Sequence, residues 1–129
     1  MRFLPETAGE AWLGIRSVPS ITGNNINGYR ITLRQERDGA VRVVVDYRSS
    51  TTETVFYDDI VPGSDVEPLP DWVSITVVTL DDRLAFFANG RFIVNVENAE
   101  QLGGTLALGV GEGTTADFDS LVIRDTTPN

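Results

Sequence analysis

A chain of 129 residues, 41% hydrophobic and 22% charged, fits one domain with one core, and this composition excludes disorder despite a formal charge of -9. Every basic residue is arginine; Lys, His and Cys are absent, which excludes disulfides, thiol nucleophiles, thiolate zinc sites and His-dependent triads. A sequence pI near 4.3 also argues against a nucleic-acid partner, because a phosphate backbone calls for a basic surface.

The charge is spread unevenly. Residues 1–48 hold seven of the ten arginines and five acids, whereas residues 49–129 hold three arginines and fourteen acids. The plainest reading of this excess is solubility. Any catalysis would rest on carboxylates, Tyr, Ser, Thr or Arg, and any metal would be a hard ion held by oxygens, calcium first. No apolar run approaches the roughly 18 residues of a membrane span. The N-terminus, interrupted by Pro5, Glu6 and Gly9, does not read as a signal peptide.

Strand signals dominate, and no stretch carries a 3.6-residue apolar stripe. Residues 12–16 (Trp-Leu-Gly-Ile-Arg) read as a strand, and the Ser-, Thr-, Gly- and Asn-rich stretch 20–27 as a loop. Residues 29–35 alternate clearly. Asp38-Gly39 reads as a hairpin turn, since both residues tolerate positive φ, and 41–47 pairs back across it. A shorter strand is expected at 53–57. Pro62, Gly63, Pro68 and Pro70 then make 58–70 a long crossover loop. Residues 72–80 read as the longest apolar strand, with Trp72 in the core. Asp81-Asp82 turns the chain into 84–88, and Asn89-Gly90, the strongest hairpin signal present, returns it through 91–96. One short helical turn fits within 96–102. Strands at 104–110 and 117–124 close a domain of residues 1–125, leaving 126–129 as a linker-like tail. About nine short strands, hairpins and one crossover predict an all-β, antiparallel two-sheet sandwich.

Alternation then assigns faces. Leu13, Ile15, Tyr29, Ile31, Leu33, Val41, Val43 and Val45 go inward. If the first three strands are neighbours, their outer face gathers Trp12, Arg16, Arg30, Thr32, Arg34, Arg42 and Asp46. Two readings stand side by side. One is a solvated face with cross-strand ion pairs. The other is a sugar site, where the indole stacks on a pyranose and charged groups hydrogen-bond its hydroxyls. Phe86, Phe87, Phe92 and Phe118 read as core or hairpin packing. Asp58, Asp59, Asp117 and Asp119 read first as turn or edge residues, with calcium ligation the alternative.

Several segments resemble a known family. Trp72 to Val78 is similar to the "W-x-x-hydrophobic-x-V" strand of concanavalin A-like (laminin-G-like) jelly-roll domains. Phe86 to Arg91 resembles their "h-x-V-N-G-x" hairpin. Gly104 to Gly109, followed by Ala116 to Ile123, resembles the closing "G-x-h-G-L…F-D-N-h-x-h" pair. Upstream, Gly14-Ile15-Arg16 and Gly28 to Ile31 resemble the "G-h-x-F-R … Y-x-h" strands. The resemblance spans residues 11 to 125 and implies a concanavalin A-like jelly roll whose concave sheet face takes the ligand. It points to a non-catalytic carbohydrate-binding module of bacterial extracellular type, part of a larger exported protein. The alternative is a structural or adhesive module of a surface assembly. A glycoside hydrolase is the remote third, because the sandwich-fold glucanases carry E-h-D-h-x-E, and the stretch around Asp117 and Asp119 lacks the third acid. Family members usually open with additional strands, but only residues 1–9 precede the first clear strand here. That short front predicts a sheet edge open to a partner segment or a second copy.

Overall fold

A computed structural model describes residues 2–3, 9–19, 26–35, 41–49, 52–64, 66, 72–97, 105–110 and 116–117. Among these residues every regular element is a strand. In chain order they are β1 (Arg2–Phe3), β2 (Gly9–Pro19), β3 (Ile26–Gln35), β4 (Val41–Arg48), β5 (Glu53–Ile60), β6 (Ile75–Leu80), β7 (Arg83–Ala88), β8 (Arg91–Val96), β9 (Thr105–Val110) and β10 (Ala116–Asp117). The larger sheet has the order β5-β4-β3-β2-β9 and the smaller is the meander β6-β7-β8, all pairings antiparallel. β1 and β10 pair with each other, Arg2 opposite Asp117. Among the described residues no helix is long and apolar enough to cross a membrane.

The two sheets share one core, which follows from period-two alternation on half-buried strands. Leu13 and Ile15 from β2, Tyr29, Ile31 and Leu33 from β3, and Val43 and Val45 from β4 meet Leu84, Phe86, Ala88, Ile93 and Val96 of the meander. Val61 and Val73, at the two ends of the passage from one sheet to the other, are buried in the same core. Tyr29 stands opposite Tyr47, their ring centroids 4.8 Å apart, and Phe56 lies 6.4 Å from Tyr29. Such cross-strand aromatic contacts add about 0.5–1.5 kcal/mol beyond area burial.

The turns behave as their chemistry requires. Asn89 (φ 49°) and Gly90 (φ 76°) both take positive φ between Ala88 and Arg91, the geometry of a type I′ hairpin. The turn is stitched to the entry of β6: the Asn89 N–H donates to the Ser74 carbonyl at 2.8 Å, and Asn89 Oδ1 accepts from the Ser74 N–H at 2.7 Å. Asp81 (φ 50°) turns β6 into β7.

Several expectations are corrected. The loop expected from residue 58 begins later, because β5 runs through Asp58 and Asp59 to Ile60. Asp58 is tolerated there because Arg42 on β4 neutralises it. The expected long strand at 72–80 is the six-residue β6, and it is mostly exposed. Trp72 precedes it and is 38% exposed rather than core. Of the two roles open to Phe92, core or hairpin, the structure gives the second: it is 50% exposed and packs edge-on against Phe87 at 5.7 Å. The 20–25 part of the expected loop, the Asp38-Gly39 turn, the 98–102 part of the helical turn, Phe118, the 118–124 part of the closing strand and the tail lie outside the described residues.

Candidate ligand-binding face

The outer face of the larger sheet is a grid set by register. Glu10, Arg34 and Arg42 form one row across β2, β3 and β4. Trp12, Thr32 and Val44 form the next, and Gly14, Arg30 and Asp46 the third. Arg48, opposite Gly28 and Glu53, starts a fourth. Rows lie two residues apart along each strand, about 7 Å.

The third row is held by a buried charge. Asp46 is 1% exposed although it points away from the core, because two guanidinium groups cover it. Arg48 Nε donates to Asp46 Oδ2 at 2.8 Å, and Arg30 Nε lies 3.6 Å from Asp46 Oδ1. The Arg30 guanidinium also sits over the Trp12 ring, 5.5 Å from its centroid. A cation over an indole is worth about 0.5–1 kcal/mol when exposed and more when desolvated. Trp12, Arg30, Asp46 and Arg48 therefore form one connected unit spanning three strands.

The first row carries a like-charge conflict. Arg34 and Arg42 stand directly opposite each other on neighbouring strands, an arrangement that destabilises a sheet unless each charge finds another partner. Each does: Arg34 Nη2 lies 3.6 Å from Glu10 Oε1 on β2, and Arg42 turns to Asp58 on β5, donating to its carboxylate and, at 3.2 Å, to its backbone carbonyl. Arg48 Nη2 similarly reaches Glu53 Oε1 at 3.3 Å.

Of the expected face residues, Trp12, Arg30 and Asp46 are thus brought into contact, Thr32 lies between Arg30 and Arg34 along β3, and Arg34 and Arg42 line the neighbouring row. Arg16 falls where the ladder breaks, at a β-bulge after Ile15, with φ 52°. Arg48, Glu10 and Glu53 join the face without having been expected there. Alternation carries a signal for two of them, since 42, 44, 46, 48 and 10, 12, 14 continue the outer series; β2 and β4 extend beyond the bounds of 12–16 and 41–47 that composition suggests.

Two of the calcium candidates, Asp58 and Asp59, already have partners. Asp58 is engaged by Arg42, and Asp59 Oδ1 accepts the Ile60 N–H at 2.7 Å. Asp117 lies in β10, and Asp119 is outside the described residues. Among the described residues no three His, Cys, Asp or Glu side chains group in a way that could hold a metal ion. On β5, the Tyr57 hydroxyl donates to the Ile60 carbonyl at 2.6 Å, and burial, reinforced by Asp59 and opposed by Arg42, pushes its pKa above the usual 10.0.

Comparison with protein families, curated proteins and solved structures finds no match to this chain. The functional reading therefore rests on the residues themselves.

Proposed function

We propose that this chain is a non-catalytic carbohydrate-binding module of the concanavalin A-like jelly-roll type, taking its ligand on the outer face of the larger sheet. The observation that carries this reading is the Trp12–Arg30–Asp46 unit: an indole on a sheet face beside a guanidinium fixed in place by a buried carboxylate. An aromatic plane supplies stacking for the apolar side of a pyranose, and a pre-ordered guanidinium hydrogen-bonds its hydroxyls at little further entropic cost. A bacterial extracellular or cell-surface setting, within a larger exported protein, accompanies this reading. The test is a broad glycan array followed by titration of the hits. Binding weakened by Trp12→Ala and by Arg30→Ala supports the proposal, and binding that neither substitution touches counts against it.

A second reading, an adhesive or structural module, is favoured by one different feature. The meander exposes Val78, Leu80 and Phe92, each about half accessible. β6 reads Ile-Thr-Val-Val-Thr-Leu, with none of the charges or prolines that blunt most sheet edges. Solution mass discriminates. A discrete oligomer dispersed by Val78→Lys, together with no glycan affinity, would favour assembly over sugar binding.

A further inference from the structure

We infer that the preferred ligand is an acidic glycan, one whose sugars carry carboxylates, lying across the strands in a trough between the Arg34/Arg42 row and Arg30; this rests on the carbohydrate reading above. The charges of the two neighbouring strands β3 and β4 sort by position. Their outer positions are Gly28, Arg30, Thr32 and Arg34 on β3, and Arg42, Val44, Asp46 and Arg48 on β4. The single carboxylate in this set, Asp46, is buried, while Arg34, Arg42 and Arg48 each keep 40–46% of the side chain exposed. The acids that answer these arginines stand on the flanking strands, Glu10 on β2 and Glu53 and Asp58 on β5. Three arginines in the middle of the face thus keep part of their side chains open to solvent, each beside its own carboxylate partner, on a chain whose formal charge is -9.

The spacing makes a site of them. The Arg34/Arg42 row and the Arg30/Asp46 row lie four residues apart along β3, about 13–14 Å. The row between them, Trp12, Thr32 and Val44, is a floor that carries no charge. A sugar chain lying over that floor rests on the indole and a valine, with arginines on both sides. Guanidinium groups are suited to this because each offers five N–H donors in a planar fork that matches a carboxylate.

A second observation points the same way. Arg30 Nε, a donor, and Asp46 Oδ1, an acceptor, are both buried, 3.6 Å apart, and neither has a hydrogen-bond partner among the described residues. Buried polar atoms are seldom left so. A hydroxyl that reaches them as the partly exposed Arg30 side chain shifts aside satisfies both, donating to Asp46 Oδ1 while accepting from Arg30 Nε–H. A hydroxylated acid is the ligand chemistry that meets this pair and the arginines together.

The experiment compares an α-1,4-linked galacturonate hexasaccharide with its methyl ester, which keeps the same backbone and removes the charge. Calorimetric titration of the full chain is expected to show the acid form binding about ten-fold or more tightly than the ester. Its affinity should also fall as salt rises from about 50 to about 500 mM. Arg34→Gln and Arg30→Gln should each weaken the acid form and bring the two ligands closer together, while Arg83→Gln, on the other sheet, leaves both unchanged. Circular dichroism confirms that each variant is folded. Equal affinity for acid and ester would overturn the charge inference and leave the carbohydrate reading standing. The charge inference falls in the same way if neither hexasaccharide binds while the array returns neutral glycans. Acid binding untouched by both arginine substitutions would overturn the placement. No binding to either hexasaccharide or to any arrayed glycan would overturn both readings.

Discussion

Asp46→Asn is the substitution that the larger sheet should feel most directly outside its core. The side chain keeps its shape and loses its charge beneath two guanidinium groups. Its hydrogen bond to Arg48 is charge-assisted and 2.8 Å long, a type worth about 1.5–3 kcal/mol when both partners are shielded. Arg48 is 46% exposed, so solvent brings that contribution to the lower end of the range. The Arg30 contact at 3.6 Å, with Arg30 at 23% exposed, adds a smaller amount. The amide also directs one N–H₂ donor at groups that are themselves donors, leaving a buried mismatch. Together these give a loss of about 2 kcal/mol, or a fall in Tm of roughly 6–10 °C for a chain of this length. Urea unfolding should show the midpoint falling with an unchanged m-value. In a Trp72→Phe background, Trp12 emission should shift as Arg30 loses its anchor and leaves the indole. A variant as stable as the parent, with unaltered Trp12 emission, would refute the claim that Asp46 holds this unit together.

Other consequences are simpler to state. Phe86→Ala, at a fully buried position in the central strand of the meander, should cost about 3–5 kcal/mol in the same unfolding assay. Gly90→Ala should cost about 1–2 kcal/mol: no described atom lies within 4 Å of an added Cβ, so the penalty comes from φ +76° alone, and a neutral result would mean the turn relaxes. Tyr57 carries a raised pKa, so the unfolded chain releases this proton first. Stability should therefore hold below the unfolded value of 10.0 and decline as pH rises beyond it, by the linkage between proton binding and folding. Tyr57→Phe should flatten part of that decline in pH-dependent melts, and also lose about 0.5–1.5 kcal/mol at neutral pH with the bond to Ile60.

The parts of this molecule that sequence reveals are those governed by local rules. Tyr29, Ile31 and Leu33 against Arg30, Thr32 and Arg34 give their faces away because a strand buried on one side must alternate. Asn89-Gly90 announces a hairpin because few other pairs accept positive φ twice. What stays hidden depends on neighbours distant along the chain. Asp46 looks like any outward acid until Arg30 is set opposite it and Arg48 closes over its other oxygen. Asp58 and Asp59 read as loop residues because Pro62, Gly63, Pro68 and Pro70 follow them, and the reason Asp58 is acceptable in a strand, Arg42, lies sixteen residues earlier. Trp72 and the run after it look like core by composition. Val73 is core, but Trp72 and most of β6 are exposed at the rim of the smaller sheet, a position that hydrophobicity alone does not encode. The Arg34–Arg42 juxtaposition likewise exists only once the register of β3 on β4 is known.

The central claim is that the outer face of the larger sheet binds a sugar through Trp12 and Arg30. Calorimetric titration of parent, Trp12→Ala and Arg30→Ala chains against the tightest glycan from an array tests it most directly. Saturable binding by the parent and a loss of about ten-fold or more in each variant, with all three folded, are expected. Equal affinity in all three, or no glycan bound by the parent, would contradict it.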